Sequence, residues 1–126
     1  MHTDTLLFFN EHEDAIPMYE KLEALIMKQI PEAKIKVSKT QISFSNKRGF
    51  AIVSFNSCRK VKDRPKVWMT VTFDLGYQKI SHRIDVATAA HLNRWTHHVM
   101  VSGANDIDNE LMSWICEAAE FAASKK

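Results

Sequence analysis

The sequence is poor in the residues that build flexible linkers, phosphate-binding loops and disulfide frameworks. Its 126 residues include only three glycines, three prolines and two cysteines. This composition argues against a long flexible linker and a glycine-rich phosphate loop, and a chain of this length can bury a core without disulfides or metals. We expect one domain spanning residues 1–126, with reduced thiols at Cys58 and Cys116.

Long apolar runs are missing as well. No stretch of consecutive apolar residues is long enough to cross a bilayer. The first residues, MHTDTLLFFNEHED, lack the basic start and the uninterrupted apolar segment of a signal peptide. We therefore expect a cytoplasmic protein without a membrane partner.

Catalytic and metal-binding motifs are also missing. The six histidines show no HExxH, paired CxxC or acidic-loop pattern, so we expect neither a metal nor another cofactor. His97 and His98 are adjacent and would point to opposite faces of a strand. Arg59 and Lys60 could activate Cys58, but a nucleophile also needs a positioned base. The absence of such a pair favours a protein that is not an enzyme.

What the sequence does have is a strongly sorted charge distribution. Residues 1–33 contain seven acidic side chains and two lysines, whereas residues 34–66 contain ten lysines or arginines and only one acid, Asp63. The near-neutral total of +2 therefore hides a basic middle. Such a segment can recognise an anionic partner, or it can form ordinary solvated strands and turns.

Apolar spacing predicts helices at both ends of the chain. A helix begins near Asp14, tolerates Pro17 in its first turn and ends at Pro31. The last helix is predicted to start at Asp106 as its N-cap. Core-facing stripes at helical spacing follow each start, namely Met18, Leu22, Leu25, Ile26 and Ile30 in the first helix and Leu111, Trp114, Ile115, Ala118, Phe121 and Ala122 in the last.

Between the helices the period changes to two, which is typical of strands. Alternation or continuous apolarity predicts strands at 35–37, 42–44, 50–55 and 67–74, with further strands at 80–86 and 95–101. The 50–55 segment is apolar enough for an interior strand covered on both sides. The fold class is therefore α+β, an antiparallel β-sheet of about five strands with the N-terminal and C-terminal helices packed against one face.

Three segments of the chain resemble a bacterial family known as domain of unknown function 5655. They are YEKLEALI from Tyr19, KVSKTQISFSNKRGFAIVSF from Lys36 and IDNELMSWICEAA from Ile107. The resemblance covers about residues 19–122, and it implies a small domain that occurs alone or as a terminal module. Its signals are apolar and turn residues, so it implies a fold without a catalytic residue set.

The candidate site residues are cations, one histidine and one tryptophan that could contact an anion or a nucleic acid. Lys39, Arg48, Arg83 and Arg94 could converge on one sheet face, or each could be solvated beside a local acid. Trp68 could stack on a base, or it could lie under the N-terminal segment with Phe8 or Phe9. The whole set is Lys39, Lys47, Arg48, Lys60, Lys62, Arg64, Trp68, Arg83, Arg94 and His98.

Three functions remain open from the sequence. The first is a non-enzymatic binding module for an anionic partner, with nucleic acid as the main candidate. The second is a protein-interaction or accessory domain, in which the apolar segment 6–9 or a strand edge forms a homodimer or joins a larger assembly. The third is a small-anion or enzymatic site in a pocket between sheet and helices.

Overall fold

The helices and strands follow one another in the expected α+β order. The computed structural model describes residues 3–57 and 59–124; the hypothesis of a reactive Cys58 falls outside them. The helices are α1 (Thr3–Phe8), α2 (Ile16–Gln29) and α3 (Asn109–Ser124). The strands are β1 (Lys34–Val37), β2 (Gln41–Ser45), β3 (Gly49–Ser54), β4 (Met69–Leu75), β5 (Ile84–His91) and β6 (Arg94–Val101).

All six strands form one antiparallel sheet in the order β1-β2-β3-β4-β6-β5. The first four strands are neighbours in chain order, whereas β6 lies between β4 and β5. The edges of the sheet are therefore β1 and β5. Because the strands alternate in direction, the β1–β2 turn and the β3–β4 loop share one end of the sheet, which we call the loop end. The β2–β3 and β5–β6 turns share the other, which we call the turn end.

The core lies between the sheet and the helices, as the alternation predicted. Ile42, Phe44, Val71 and Phe73 point from the sheet into this core, and each is at most 1% exposed. From α2, the side chains of Met18, Leu22 and Ile26 fill the same core, and from α3, those of Leu111, Trp114, Ile115 and Ala118 do so. Trp114 is buried as expected, whereas Leu25 is only half-buried at the margin.

The start of the last helix differs from the sequence prediction. Asp106 does not cap α3; its Oδ2 accepts hydrogen bonds from the backbone N–H and hydroxyl of Ser102, at 2.8 and 3.1 Å. Asp108 takes the capping position, and its Oδ1 accepts the N–H of Leu111 at 3.0 Å. Both aspartates precede the apolar stripe, so propensity alone does not decide between them.

The strand predicted at 80–86 was also wrong in its position. β5 begins at Ile84 and continues to His91, while residues 76–83 form the crossing from β4. The segment VATAA has small side chains and little alternation, so its sequence pattern does not show the strand. β3 is an interior strand as expected, but Ile52 is half-buried on a face that the helices leave uncovered. Within the described residues, no helix has the length and apolar character needed to cross a membrane.

Candidate anion-binding surface on the open sheet face

The helices pack against one face of the sheet, and we call the opposite face the open face. Register defines it, because side chains of paired residues lie on the same side of a sheet. One cross-strand row takes one residue from each of the six strands, namely Lys36, Ser43, Ile52, Thr72, His98 and Val86. The floor of the open face is therefore mostly polar, with hydroxyl groups, an imidazole and two aliphatic side chains.

The middle of the floor is held by hydrogen bonds between neighbouring strands. The Thr72 hydroxyl lies 2.9 Å from His98 Nδ1. The Thr96 hydroxyl donates to Asp74 Oδ1 at 2.7 Å. Desolvation by burial lowers the pKa of His98, although Asp74 and Asp85 act in the opposite direction. The His98 side chain is therefore neutral at physiological pH and acts on this face as a hydrogen-bonding group.

At the loop end, the β3–β4 loop crosses the open face from β3 towards β5. The Thr70 hydroxyl donates to the carbonyl of Asn56 at 2.6 Å. Arg59 donates two hydrogen bonds to the Asp85 carboxylate, at 2.8 and 2.9 Å, and these bonds raise the pKa of Arg59. The β3–β4 loop is thus attached to β4 through Thr70 and to β5 through Asp85. It places the exposed Lys60 and Lys62 at the margin of the open face.

At the turn end, Arg48 and Arg94 line the same cleft. Its cavity volume is about 250 Å³, and its other lining residues include Asp74 and Phe121. Arg94 Nε lies 3.7 Å from Asp74 Oδ2, which is an ion pair without a hydrogen bond. The cleft therefore joins two guanidinium groups to one carboxylate at the turn end of the sheet, where Ala118, Phe121 and Ala122 of α3 form its other wall.

The β2–β3 turn that carries Arg48 is well fixed. Asn46 Oδ1 accepts the N–H of Arg48 at 3.2 Å, which is a local side-chain turn. The amide of Asn46 also donates to the carbonyl of Ala119 at 2.9 Å, so α3 holds the turn in place. Lys47 occupies the exposed tip of this turn.

The structure does not bring the four cations together on one face; Arg83 and Arg94 follow the other alternative and have local acid partners. Lys39 lies on the β1–β2 turn at the loop end, whereas Arg48 and Arg94 lie at the turn end. Arg83 lies at the N-terminus of α3, where its guanidinium binds Asp108 and Glu110, each with a shortest distance of 2.9 Å. It also donates to the carbonyl of Asp106. Burial tends to lower the pKa of Arg83, but its hydrogen bonds to Asp108 and Glu110 and the charges of these carboxylates outweigh that effect and raise the pKa.

Trp68 is a covered side chain and not an exposed stacking platform. It is 8% exposed and meets His12 and Phe55 edge to face. Phe55 in turn contacts Phe8 and Phe9. The N-terminal segment therefore covers Trp68 through the ring of Phe55, which lies between them. The Arg64 guanidinium lies 5.3 Å from the Trp68 ring centre and closes the other side.

Sequence reasoning missed several residues of the open face. Lys34 and Lys36 were counted only as charge, yet they alternate with Ile35 and Val37, and that alternation places both lysines on the face opposite the core. The alternation in β4 likewise placed its polar side chains, among them Thr72, on the face opposite the core. Arg59 and Asp85 gave no such signal, because they are 26 residues apart.

The family model for "Domain of unknown function (DUF5655)" matches residues 7–122. The chain belongs to this family. The matched region includes every strand of the sheet, all of α2 and α3 as far as Ala122, so it covers the open face and the cleft. Neither the search of curated proteins nor that of solved structures gave a match.

Metal ligands do not come together in the part of the chain that the structure describes. Across residues 3–57 and 59–124, no three histidine, cysteine, aspartate or glutamate side chains form a group that could hold a metal ion. His98 has hydroxyl and aliphatic neighbours in its row, and His97 lies on the opposite face in the core. The open face thus carries hydroxyls and cations together with two carboxylates, Asp74 and Asp85, which accept hydrogen bonds from Thr96 and Arg59. The cations around it make it a candidate surface for anions.

Proposed function

We propose that this member of domain of unknown function 5655 is a non-enzymatic binding module for an anionic polymer, with nucleic acid as the main candidate. The observation that carries the proposal is the position of the cations around the open face. They occupy three of its sides: the β1 edge with Lys34 and Lys36, the loop end with Lys60 and Lys62, and the turn end with Arg94. We place this function in a cytoplasmic setting and a bacterial source.

The separation of these cations favours a polymer over a single ion. β4 has seven residues between the two ends of the sheet. At about 3.3 Å per residue this separates the ends by roughly 20 Å. One phosphate group is far too small to contact both ends, whereas a chain of linked phosphates can cross the face and meet cations on each side.

The floor of the open face indicates what kind of recognition is possible. Ser43 provides a hydroxyl group that can donate to phosphate oxygens or sugars. The hydrogen-bonded pair of Thr72 and neutral His98 offers one further donor, either His98 Nε2–H or the Thr72 hydroxyl, according to the tautomer of the imidazole. The burial of Trp68 leaves this ring unable to stack on a base, which was one of the two alternatives for it. We therefore expect phosphate recognition with little sequence preference, and similar binding of single-stranded and duplex forms.

A matched pair of charge reversals tests the surface. Lys36→Glu changes the open face, and Lys28→Glu makes the same charge change near the end of α2, on the helix side of the molecule. Fluorescence anisotropy with labelled single-stranded and duplex DNA would be measured at several salt concentrations. We expect Lys36→Glu and the double variant Lys60→Glu/Lys62→Glu to weaken binding of all sequences. Each lost phosphate contact should reduce the salt slope by about 1.

The control decides between a surface effect and a net-charge effect. Lys28→Glu should bind nearly as the parent does, because it lies away from the open face. Equal weakening by Lys28→Glu and Lys36→Glu would show that only net charge matters. Absence of binding by the parent at low salt would reject a nucleic acid partner.

A small anion in the cleft at the turn end is the second candidate function. The specific observation is that Arg48 and Arg94 line one cavity of about 250 Å³. The melting temperature should then rise as the concentration of inorganic phosphate is increased, because phosphate binds the folded protein. Arg94→Gln should remove that increase. An equal increase in the parent and in Arg94→Gln would show that phosphate acts elsewhere.

A further inference from the structure

We propose that β5 is the edge at which two copies of this chain associate, so that two sheets join into one antiparallel sheet of twelve strands. This inference goes beyond the proposed function, since it concerns assembly and not anion recognition. An edge strand offers unpaired backbone N–H and C=O groups to a further strand. The two edge strands of this sheet, β1 and β5, differ sharply in how readily a further strand could pair with them.

The β1 edge is protected against pairing. It has only four residues, and two of them are Lys34 and Lys36. Short edge strands and edge lysines both oppose edge-to-edge association. Antiparallel pairing of two β1 strands would also bring the lysines of both copies together.

The β5 edge lacks these protections. It has eight residues, IDVATAAH, with no lysine, arginine or proline. Asp85 is already neutralised by Arg59, so charge repulsion between two β5 strands is small. In an antiparallel pair, Asp85 of one copy would lie towards His91 of the other, so the two carboxylates would not face each other.

Exposed apolar side chains are concentrated around this edge. Ile80 is 88% exposed in the crossing before β5, and Leu92 is 83% exposed in the turn after it. Two further apolar or aromatic side chains nearby, Val86 and Tyr77, are 36% and 47% exposed. Scattered apolar residues are normal on a surface, but a group along an unpaired edge is typical of an interaction site.

The placement of Ile80 and Leu92 is self-complementary. They lie at opposite ends of β5, so antiparallel pairing brings Leu92 of one copy towards Ile80 of the other. A groove with a cavity volume of about 220 Å³ separates residues 78–81 from the first half of β5. A two-fold axis at Thr88 would place Leu92 opposite Ile84, which lines this groove, since residues 84 and 92 are equally far from 88.

Regular pairing would be confined to the middle of the strand. The β5–β6 register shifts between Ile84 and Val86 and again between Ala89 and His91. Residues 86–89 lie between these irregularities, and about an axis at Thr88 the central pairs would be formed by Ala87, Thr88 and Ala89. The apolar contacts of Ile80 and Leu92 would then flank the pairs on both sides, as a symmetric dimer requires.

Sedimentation velocity over a wide range of protein concentrations tests the assembly. We expect the parent to show a concentration-dependent dimer. Ile80→Lys and Leu92→Lys should each weaken association about tenfold or more, because they place a charge in the desolvated contact. Leu7→Lys is the matched control at an exposed apolar site in α1, outside β5 and its flanking turns, and it should associate as the parent does. Unchanged melting curves at low concentration would show that all three variants are folded.

A cross-link then tests the axis. Thr88→Cys in a Cys58→Ser/Cys116→Ala background should form a disulfide-linked dimer on oxidation, because the two Thr88 positions face each other at the axis. Leu7→Cys in the same background is the control. A parent that remains monomeric at its highest soluble concentration would overturn the proposal. A dimer broken by Leu7→Lys and insensitive to Ile80→Lys and Leu92→Lys would do the same. DNA binding by the monomeric variants is measured separately, so either proposal can fail without the other.

Discussion

The imidazole of His97 is shut off from solvent inside the core. It is 0% exposed, stacks on Phe73 with ring centres 5.1 Å apart, and accepts the backbone N–H of Lys79 at 2.9 Å through Nε2. Desolvation by burial lowers its pKa, although the backbone groups of Phe73 and Trp95 act in the opposite direction. The folded protein therefore holds His97 neutral at a pH where the unfolded chain binds a proton.

The free energy of unfolding should consequently fall in acid. As the pH drops below the ordinary value of 6.5 for histidine, the unfolded state gains protons first and is stabilised. The loss is at most about 1.4 kcal/mol per pH unit for each such histidine, and it ends once the pH is below the folded-state pKa. His98, whose pKa is also lowered, adds to the same loss.

Urea unfolding from about pH 7.5 to about pH 5 measures this slope. His97→Gln keeps an acceptor for Lys79 and should flatten the slope, whatever it costs at neutral pH. A His97→Gln variant with the parent's pH slope would contradict the assignment.

The thiol of Cys116 should be poorly reactive. It is half-buried on α3, and its Sγ donates to Gln29 Oε1 at 3.2 Å. Desolvation by burial raises its pKa, and Glu120 adds to the effect, so little thiolate forms at neutral pH. Reaction with a thiol reagent should be much slower than that of an exposed cysteine introduced at Leu7. Cys116→Ala should cost about 1 kcal/mol or less.

At the scale of elements, the crossing between β4 and β5 is tied to α3 at two points. Tyr77 donates to Glu117 at 2.6 Å, and Lys79 lies 3.1 Å from the same carboxylate. Further along, Arg83 binds the acids at the N-terminus of α3. The crossing thus holds the C-terminal helix against the sheet.

Arg83→Gln should therefore destabilise the fold more than Arg94→Gln does. Arg83 is only 16% exposed and makes four hydrogen bonds, so we expect a cost of about 1–2 kcal/mol. Arg94 is 41% exposed, and its pairing with Asp74 is loose, so its loss should cost less than about 0.5 kcal/mol. Chemical denaturation of both variants checks the order. Equal costs would show that Arg83 does not fasten α3.

Trp114 joins α3 to β4 and to the crossing between β4 and β5. Its ring centre lies 6.1 Å from that of Phe73, and Lys79 and Arg83 both lie 5.7 Å from it. Trp114→Ala should cost about 3–5 kcal/mol, because the surrounding core fills such a cavity only in part. Trp114→Phe keeps an aromatic ring and should cost clearly less. A melting curve of Trp114→Ala close to that of the parent would contradict this packing.

Elements with strong periodicity could be predicted from the sequence, and those without it could not. The apolar stripes of α2 and α3 and the alternation in β1, β2 and β4 identify their core faces directly. The segment VATAA in β5 has small side chains on both faces, because it lies at an exposed edge, so its bounds were missed. Trp68 lies directly before β4, and the alternation in the sequence places it with the polar side chains of that strand. A contact with His12, far away in sequence, nevertheless buries it.

At the scale of the whole molecule, antiparallel strands distribute the basic middle of the chain around the sheet. Residues 34–66 pass along β1 from the turn end to the loop end, return along β2 and reach the loop end again along β3, so cations of this one segment lie on different sides of the open face. Charge counting predicted the segment correctly but gave no positions. Strand register supplied them, and it also separated Lys39 and Arg83 from Arg48 and Arg94.

The single core should make unfolding cooperative. Side chains of α2, α3 and the four central strands belong to one buried cluster. Calorimetry at low protein concentration should give one transition, with calorimetric and van't Hoff enthalpies equal within about 10%. Two resolved transitions would show that the helices and the sheet unfold separately.

The position of β6 between β4 and β5 has a consequence for synthesis on the ribosome. β5 is made before β6, yet β6 is its only neighbour in the sheet. The nascent chain therefore carries β5 without a partner until Val101 has emerged, and the two strands join β4 as a hairpin. Segments that wait in this way are exposed to aggregation. The small side chains of VATAA, which obscured the strand in the sequence, keep that exposed segment only weakly apolar.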